Sequence, residues 1–187
     1  MRFAPTEDQL AFADAIRGFL SRACPAEAVR EAWETGTPPA VWKGLGELGL
    51  LTLLAPEELG GGGSELELFA AFDEVGRAAA PGPIVETAAV AVPLLARFAP
   101  ELLTVETVAA GVSATTTAVM PYACSGAGLL LGEELRLVDL ADVERPGPAL
   151  DDSRAVVSLP DDVLRGASVL ASGAEAAAAV ATARHRA

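Results

Sequence analysis

The chain has 187 residues, of which 51% are hydrophobic, with a mean hydropathy of +0.38 and a formal net charge of −13. A chain of this length and apolar content can form a folded domain with a core, which excludes an intrinsically disordered segment. Its acidic surface would be repelled by nucleic-acid backbones and by anionic membranes, so we expect neither as a partner.

Cysteine and histidine are scarce. Cys24 and Cys124 lie far apart and in no Cys-x-x-Cys pattern, which favours small apolar residues of a reduced protein over a disulfide or metal ligands. With a single histidine in the chain, we expect no metal site. The first ten residues place acidic groups and a proline where an export signal needs basic and then apolar residues. We therefore expect a cytoplasmic protein.

The first half of the chain is predicted to be helical. Thr6 and Gln9 form a capping-box pattern that opens a helix, and Pro25 is expected to end it. A second helix follows the "GTPP" stretch, and its three glycines suggest close contact with a neighbouring element. The apolar positions that recur at helical spacing are Leu10, Ala13, Ile16, Phe19 and Leu20 in the first helix and Val41, Leu45 and Leu48 in the second.

Four consecutive glycines, Gly60 to Gly63, follow the second helix. Three interpretations are open: a phosphate-binding loop, a flexible linker and a structural turn. The spacing does not match the Gly-x-Gly-x-x-Gly pattern and no lysine follows, which argues against a phosphate loop. The flanking segments should pack on each other, so the pattern favours a turn in which glycine provides positive φ angles.

Two more helices are predicted before residue 110. Ser64 and Glu67 form a second capping box, and Leu68, Phe72 and Val75 make the apolar stripe of the helix that follows. The "IVETAAVAVPLLARFA" segment is predicted to be a helix that is interrupted or kinked at Pro93.

After residue 110 the pattern changes to short β-type runs. Thr107 to Gly132 carries no charged residue, but its proline, glycines and β-branched residues suit buried strands better than a membrane span. An alanine-rich helix with basic residues at its end closes the chain. We predict an α+β fold: an N-terminal helical domain of four to five helices (1–110), a small antiparallel β domain (111–160) and the start of a helical segment (161–187).

A family resemblance emerges in residues 42–83. Trp42, "ELGLLTLLAPEELGG" and "DEVGRAAAPGP" resemble, in this order, the N-terminal domain of the acyl-CoA dehydrogenases, of the type found in actinobacteria. The first helix is also similar to that of the family. The resemblance implies FAD as cofactor, an acyl-CoA substrate, α,β-dehydrogenation, and a homo- or hetero-oligomer with another acyl-CoA dehydrogenase-like subunit.

The second half resembles the family less closely. "LDDSRAVVSL" is similar to later strands of the family's middle domain, with Asp151, Asp152 and Arg154 at the place of its Asp-x-x-Arg motif. The family's flavin and substrate loop has no counterpart between Val105 and Tyr122. Its C-terminal bundle, which carries the catalytic glutamate, is absent beyond the first helix. We assign no catalytic residue, and Glu175 matches that glutamate only in lying on a helix.

Candidate cofactor contacts are few. Thr115, Thr116 and Thr117 are candidate flavin-binding residues by the resemblance, although the pattern favours the alternative that they are β-forming residues of a buried strand. Tyr122 is expected to pack with its hydroxyl group at the surface, and His185 is expected to be solvated. The Glu57–Glu58 and Glu133–Glu134 pairs are expected to lie in solvated turns, and an ion pair between Arg154 and the two aspartates would be structural.

Two hypotheses about function follow from the resemblance. In the first, the chain is an acyl-CoA dehydrogenase-like flavoprotein subunit, acting in lipid, steroid or secondary metabolism and not catalytic on its own. A carboxylate supplied by another chain, or by sequence missing from this one, would then remove the α-proton while the β-hydride passes to flavin. In the second, the chain is a non-catalytic partner subunit, or a degenerate or truncated relative that does not bind flavin.

Overall fold

The structure, a computed structural model, describes residues 4–35, 39–103, 109–113, 117–121, 127–140 and 154–186. Within these ranges helices form the first half and strands most of the second, which confirms the predicted α+β class. The helices are α1 (Glu7–Ala23), α2 (Ala26–Thr35), α3 (Pro39–Glu47), α4 (Glu65–Arg77), α5 (Val92–Phe98), α6 (Asp161–Gly166) and α7 (Gly173–Arg186). The strands are β1 (Ala109–Ser113), β2 (Thr117–Pro121), β3 (Ala127–Leu131), β4 (Glu134–Asp139), β5 (Arg154–Ser158) and β6 (Ser168–Ser172).

Helices α1 and α4 begin as predicted. The Thr6 hydroxyl group accepts from the Gln9 backbone N–H and the Gln9 side chain accepts from the Thr6 N–H, so both halves of the capping box form. Ser64 and Glu67 make the same arrangement at α4. These caps satisfy backbone donors that would otherwise lack partners at the two helix starts.

Helix α2 was not predicted. Pro25 ends α1, as expected, but it also directly precedes α2, which begins at Ala26. Proline is tolerated at a helix start because the N–H it lacks would be unpaired there. Val29 and Ala32 of α2 are buried, and tertiary packing therefore supports the helix.

The kink predicted at Pro93 takes the form of a π-helix. Residues Glu86–Ala91 are π-helical and run directly into α5, with the Val92 N–H bonded to the Thr87 carbonyl oxygen five residues earlier. Pro93 has no N–H, and its ring would press on the carbonyl group four residues back in a regular α-helix. The wider π-turn accommodates this position.

The strands form two sheets. The larger sheet has the order β1-β3-β4-β6 and the smaller one pairs β2 with β5. The β3–β4 and β2–β5 pairs are antiparallel, as predicted, and so is the β4–β6 pair, whereas β1 pairs with β3 in parallel. Strand β6 was missed: it lies in the 161–187 segment predicted to be helical and joins the sheet through β4. The domain boundaries at residues 110 and 160 remain predictions.

Helices and sheet share one hydrophobic core. Ile16, Leu20 and Leu45 of the helical half and Leu129 and Leu135 of the larger sheet belong to the same buried cluster. The alanine-rich helix α7 contributes one face, with Ala176, Ala179, Val180 and Ala183 buried. The described residues include no helix that is both long and apolar enough to cross a membrane.

The predicted apolar stripe of α1 contains one error. Ala13, Ile16 and Leu20 are buried, but Leu10 is 50% exposed, and Gln9 is buried in its place. Gln9 faces α4, where its amide finds a hydrogen-bond partner (below), so the buried side of α1 begins with a polar residue. The predicted close contact is confirmed at Gly44 of α3, where a Cβ would lie 2.2 Å from the Phe19 ring, but a Cβ on Gly49, which follows α3, would meet no atom within 4 Å.

Candidate functional site

The glycine run is a turn, as predicted. Gly60 and Gly62 have φ angles of 85° and 103°, which side-chain-bearing residues rarely adopt. A Cβ on Gly61 would lie 1.9 Å from the Ala55 carbonyl oxygen. The run is held against the preceding chain and is therefore not a flexible linker.

The backbone donors of the run are all in use. The N–H groups of Gly60 to Gly63 donate, in order, to the carbonyl oxygens of Glu57, Pro56, Ala55 and Leu53, at 3.0, 3.1, 2.7 and 2.9 Å. A phosphate-binding loop needs free N–H groups directed at the ligand. The run consequently cannot hold the diphosphate of a dinucleotide without losing its own turn.

Of the polar residues singled out in this part of the sequence, Thr117 and Arg154 lie in the smaller sheet. Thr115, Thr116, Tyr122, Asp151 and Asp152 are outside the described residues. The backbone of Thr117 begins β2 opposite Ser158, and Arg154 begins β5 opposite Pro121. Thr117 and Arg154 therefore stand at opposite ends of the ladder, roughly 13 Å apart along the strands. The register does not bring these two residues together, and the assignment of the threonines to flavin stays a prediction.

The other predicted polar positions are mostly at the surface. His185 is exposed on the last turn of α7, and Glu57 and Glu58 are exposed in a 3-10 turn, as expected. Glu134 differs from the prediction: it begins β4 and forms a 2.5 Å ion pair with Arg136, two residues along the same strand. Because alternate residues share one face of a strand, this pair is a local contact within the sheet.

Polar contacts join α1 to α4. Arg17 Nε and Nη2 donate to the two carboxylate oxygens of Glu74, at 2.9 and 2.7 Å, in a two-point contact. Glu74 is only 5% exposed, and the hydrogen bonds from Arg17 hold the pKa of its carboxyl group below the usual range. The same interaction raises the pKa of Arg17. Both groups are therefore charged throughout the physiological pH range.

A second contact lies at the helix starts. Gln9 Nε2 donates to Glu67 Oε1 at 3.1 Å, and Glu67 also accepts from the Ser64 hydroxyl group and backbone N–H. The bonds from Ser64 and Gln9 lower the pKa of Glu67 to about 2. Since residues 9 and 17 of α1 face residues 67 and 74 of α4, the two helices run parallel.

These carboxylates are structural. A general base that works near neutral pH needs a pKa raised towards 7 by burial or by a like charge. Glu65, Glu67 and Glu74 have instead a pKa lowered by hydrogen bonds. Among the described residues, these three are therefore stabilising groups and not candidates for proton abstraction.

Helix α7 is attached to the helical half at both ends. Glu175 in its first turn forms a 3.1 Å ion pair with Arg97 of α5, and Arg186 in its last turn forms a 2.8 Å pair with Glu65 of α4. Glu175 is 58% exposed. The surface position and the arginine partner fit a structural contact.

Open grooves flank α7. The groove between α7 and α5 has a volume of about 240 Å³, and the groove between α7 and α4 about 220 Å³. Arg186 lines both grooves. The other lining residues are Val90, Pro93, Leu94, Arg97, Ala179, Thr182 and Ala183 on the α5 side, and Glu65, Leu68, Phe69, Phe72, Ala89 and His185 on the α4 side.

The side-chain contacts between α1 and α4 are hard to predict from the sequence. Gln9 was recognised only as a capping residue, and Arg17 and Glu74 were not singled out. One feature of the sequence could have pointed to the contact: Glu74 lies next to Val75 on the apolar side of α4. A carboxylate in that position needs a buried partner, but the partner lies 57 residues away and could not be chosen from the sequence.

The described fold thus has parallel helices α1 and α4, a glycine turn before α4, and a small β unit that shares the buried cluster of the helices. The family model for the acyl-CoA dehydrogenase N-terminal domain matches residues 6–110, more than half of the chain. The chain belongs to the acyl-CoA dehydrogenase family.

Two curated relatives are mycobacterial. Acyl-CoA dehydrogenase FadE34 of Mycobacterium tuberculosis is 38% identical over 94 residues, which cover 44% of this chain and 13% of that protein. Acyl-CoA dehydrogenase IpdE2 of Mycolicibacterium smegmatis is 29% identical over 164 residues, which cover 82% of this chain and 52% of that protein. The chain thus spans about half the length of IpdE2 and a smaller part of FadE34.

The fold is also similar to a solved structure. In the ChsE4-ChsE5 complex from Mycobacterium tuberculosis, a matching chain is 20% identical with a TM-score of 0.66, and the match covers 96% of this chain and 61% of the other. At this identity the comparison establishes the fold. The structural match also covers the β unit, whereas the family model for the N-terminal domain ends at residue 110.

Proposed function

We propose that this chain is a subunit of an acyl-CoA dehydrogenase-like flavoprotein that is not catalytic on its own and works when assembled with a second acyl-CoA dehydrogenase-like subunit. The assembly would carry out α,β-dehydrogenation of acyl-CoA thioesters in lipid, steroid or secondary metabolism, in the cytoplasm. The observation that carries the proposal is the family match: the model for the N-terminal domain covers residues 6–110, and the similarity to IpdE2 extends over 82% of this chain.

The chemistry of the described residues supports a non-catalytic role. The three carboxylates with a lowered pKa, Glu65, Glu67 and Glu74, hold α1, α4 and α7 together through Arg186, Gln9 and Arg17 respectively. Glu175 is paired with Arg97 at the surface. On this proposal, the chain supplies a rigid helical frame and the base comes from the partner subunit.

The described residues do not fit a complete FAD site. The one glycine-rich stretch that precedes a helix uses all four of its N–H groups internally, and Thr117 and Arg154 are separated along the β2–β5 ladder. We therefore derive no chemical step through flavin from this chain. In the proposed assembly the partner subunit would provide most of the flavin contacts.

Co-expression with a full-length acyl-CoA dehydrogenase homologue encoded nearby tests the proposal. We expect a colourless protein when the chain is produced alone, and a stable complex that shows flavin absorbance and reduces an electron acceptor with acyl-CoA. A yellow, active protein without a partner would overturn the non-catalytic role. Failure of every such homologue to form a complex would overturn the role as a partner subunit.

A second candidate function is a non-catalytic relative without flavin anywhere in its own subunit. The occupied glycine turn favours it, because the chain then needs no phosphate-binding backbone. Flavin content per subunit separates the two candidates. A complex with one flavin for each partner subunit and none for this chain supports the second, whereas flavin shared at the contact between subunits supports the first.

A further inference from the structure

Helix α7 docks on the rest of the chain through small side chains. Four residues form its buried face, and three of them are alanines: Ala176, Ala179, Val180 and Ala183. The buried face of α1 contains the larger Ile16 and Leu20. The free energy gained on burial grows with the apolar area that leaves water. The side chains of α7 therefore contribute less to its docking than those of α1 contribute to the docking of α1.

The two sides of α7 are open. A groove of about 240 Å³ lies between α7 and α5, and one of about 220 Å³ lies between α7 and α4. The outer face of the helix exposes Ala177, Ala178 and Ala181. Segments with few buried apolar contacts are the ones that open before the rest of a protein unfolds. Among the described helices, α7 has this character.

The junction between α7 and the sheet permits such an opening. Ser172 ends β6 opposite Glu134 of β4, and α7 begins at the next residue, Gly173, with a φ angle of 60°. A Cβ at Gly173 would meet no atom within 4 Å, so no neighbouring group fixes this position. The helix can therefore leave its place without breaking the pairing of β6 with β4.

Charge holds α7 in place. The helix carries two arginines and one glutamate in a chain with a net charge of −13. Glu175 in the first turn pairs with Arg97 at 3.1 Å, and Arg186 in the last turn pairs with Glu65 at 2.8 Å. Ion pairs near the surface are weakened by salt, whereas apolar contacts are not. The attachment of α7 should therefore depend on ionic strength.

We propose that α7 is a strap latched by charge: it opens as a separate unit while α1, α4 and the larger sheet stay folded, and the ion pairs at its two ends control how often it opens. A helix of 14 residues is only marginally stable by itself in water. The helix therefore loses its backbone hydrogen bonds when it opens, and its amide hydrogens exchange with solvent. This inference does not depend on the proposed function, because it concerns the chain alone.

Amide hydrogen exchange of the isolated chain, followed by NMR, tests the opening. The protection factors of Val180 and Ala183 in α7 should be about tenfold lower than those of Ile16 and Leu20 in α1, and less dependent on urea, because opening of one helix exposes less surface than global unfolding. An increase in salt from about 0.05 to about 0.5 M should lower protection in α7 about two- to fivefold. Equal protection and equal urea dependence in the two helices would overturn the proposal.

Two matched variants test the latch. Arg186→Gln removes the pair with Glu65 and should lower protection in α7 about two- to fivefold, which is the range expected for a single pair near the surface. Arg184→Gln makes the same change of charge two residues earlier, at an exposed position of the same helix, and should leave protection within about 1.5-fold. Equal effects of the two variants would overturn the role of the ion pair.

A variant in α1 separates opening of α7 from global unfolding. Ile16→Val removes one methyl group from the core, so it should fold, and it should lower protection in α1 about three- to tenfold. The contacts of Ile16 stay formed when only α7 opens, and protection in α7 should therefore not change. If protection in α7 falls by the same factor as in α1, α7 opens only when the whole chain unfolds, and the strap is overturned.

Discussion

Gln9 Nε2 donates a 3.1 Å hydrogen bond to Glu67 Oε1 and thereby links the N-terminal caps of α1 and α4. Each of the two residues is the third residue of its own helix and already bonds to its own cap. The same carboxylate thus caps α4 and fixes the register of α4 against α1. The residues that cap the two helices therefore also make a tertiary contact between them.

The lowered pKa of Glu67 makes this contact dependent on pH. The carboxyl group titrates at about 2 in the folded protein instead of the ordinary 4.5. A depressed folded-state pKa contributes stability that is fully present above the unfolded pKa and is lost as the pH falls towards the folded one. We therefore expect Glu67→Gln to lower the free energy of unfolding at pH 7 by clearly more than at pH 2.5.

Urea unfolding at the two pH values measures this difference. Glu58→Gln provides the control, since Glu58 is exposed in the 3-10 turn before the glycines and should change stability little at either pH. Equal destabilisation by Glu67→Gln at both pH values would show that its charge has no part in the contact.

Arg17 and Glu74 should behave as a coupled pair. Removal of Arg17 leaves the buried Glu74 carboxylate without its two-point partner, with only Arg77 3.8 Å away, and an uncompensated buried charge is strongly destabilising. We expect Arg17→Met to destabilise the protein more than the double variant Arg17→Met/Glu74→Leu does, whereas Glu74→Leu alone should cost less, because it leaves an arginine that is 59% exposed and still paired with Asp14. Replacement of a buried ion pair by apolar residues is often neutral.

A double-mutant cycle based on denaturant unfolding measures the coupling. The exposed Lys43–Glu47 pair, 3.7 Å apart within α3, is the comparison, and the same cycle there should give a coupling near zero. Simple additivity of the Arg17 and Glu74 changes would contradict the role we assign to the pair.

Two glycines should respond to alanine in opposite directions. Gly61→Ala would place a Cβ against the Ala55 carbonyl oxygen, and we expect a loss of about 2–3 kcal/mol of unfolding free energy from overpacking. Gly76 lies in α4, and an added Cβ would meet no atom within 4 Å. Gly76→Ala should therefore stabilise the protein by roughly 0.5–1 kcal/mol, because alanine loses less backbone entropy in a helix. Thermal unfolding measures the change in stability of both variants. If Gly61→Ala left the stability unchanged, the turn would be looser than the structure shows.

The features that the sequence predicted are local. Capping boxes at Thr6 and Ser64, the kink at Pro93 and the glycine turn each depend on residues a few positions apart, where side-chain and backbone preferences act directly. Strands β3, β4 and β5 could be predicted from the sequence because their apolar runs are bounded by turn residues. The resemblance to a family of known fold supplied the order in which these pieces pack.

The features that were missed depend on distant residues. The Arg17–Glu74 and Gln9–Glu67 contacts join positions 57 and 58 residues apart. Strand β6 is a short run that owes its state to pairing with β4, and β-propensity is weak without such context. The exposure of Leu10 likewise follows from the placement of α4. The candidate flavin residues Thr115 and Thr116 lie outside the described residues, and that part of the site remains a prediction.

Glu175 gives the last prediction, which separates a structural carboxylate from a catalytic one. The residue pairs with Arg97 at the surface, and exposed ion pairs contribute about 0.5 kcal/mol or less. Glu175→Gln should therefore change the unfolding free energy of the chain by no more than that amount. In the flavin-loaded complex it should also leave kcat for acyl-CoA oxidation unchanged, because the base belongs to the partner subunit on our proposal. Stopped-flow flavin reduction by acyl-CoA is the direct measurement, since it follows the chemical step alone. A fall of several orders of magnitude in that rate, with stability unaffected, would make Glu175 the base and place the active site on this chain.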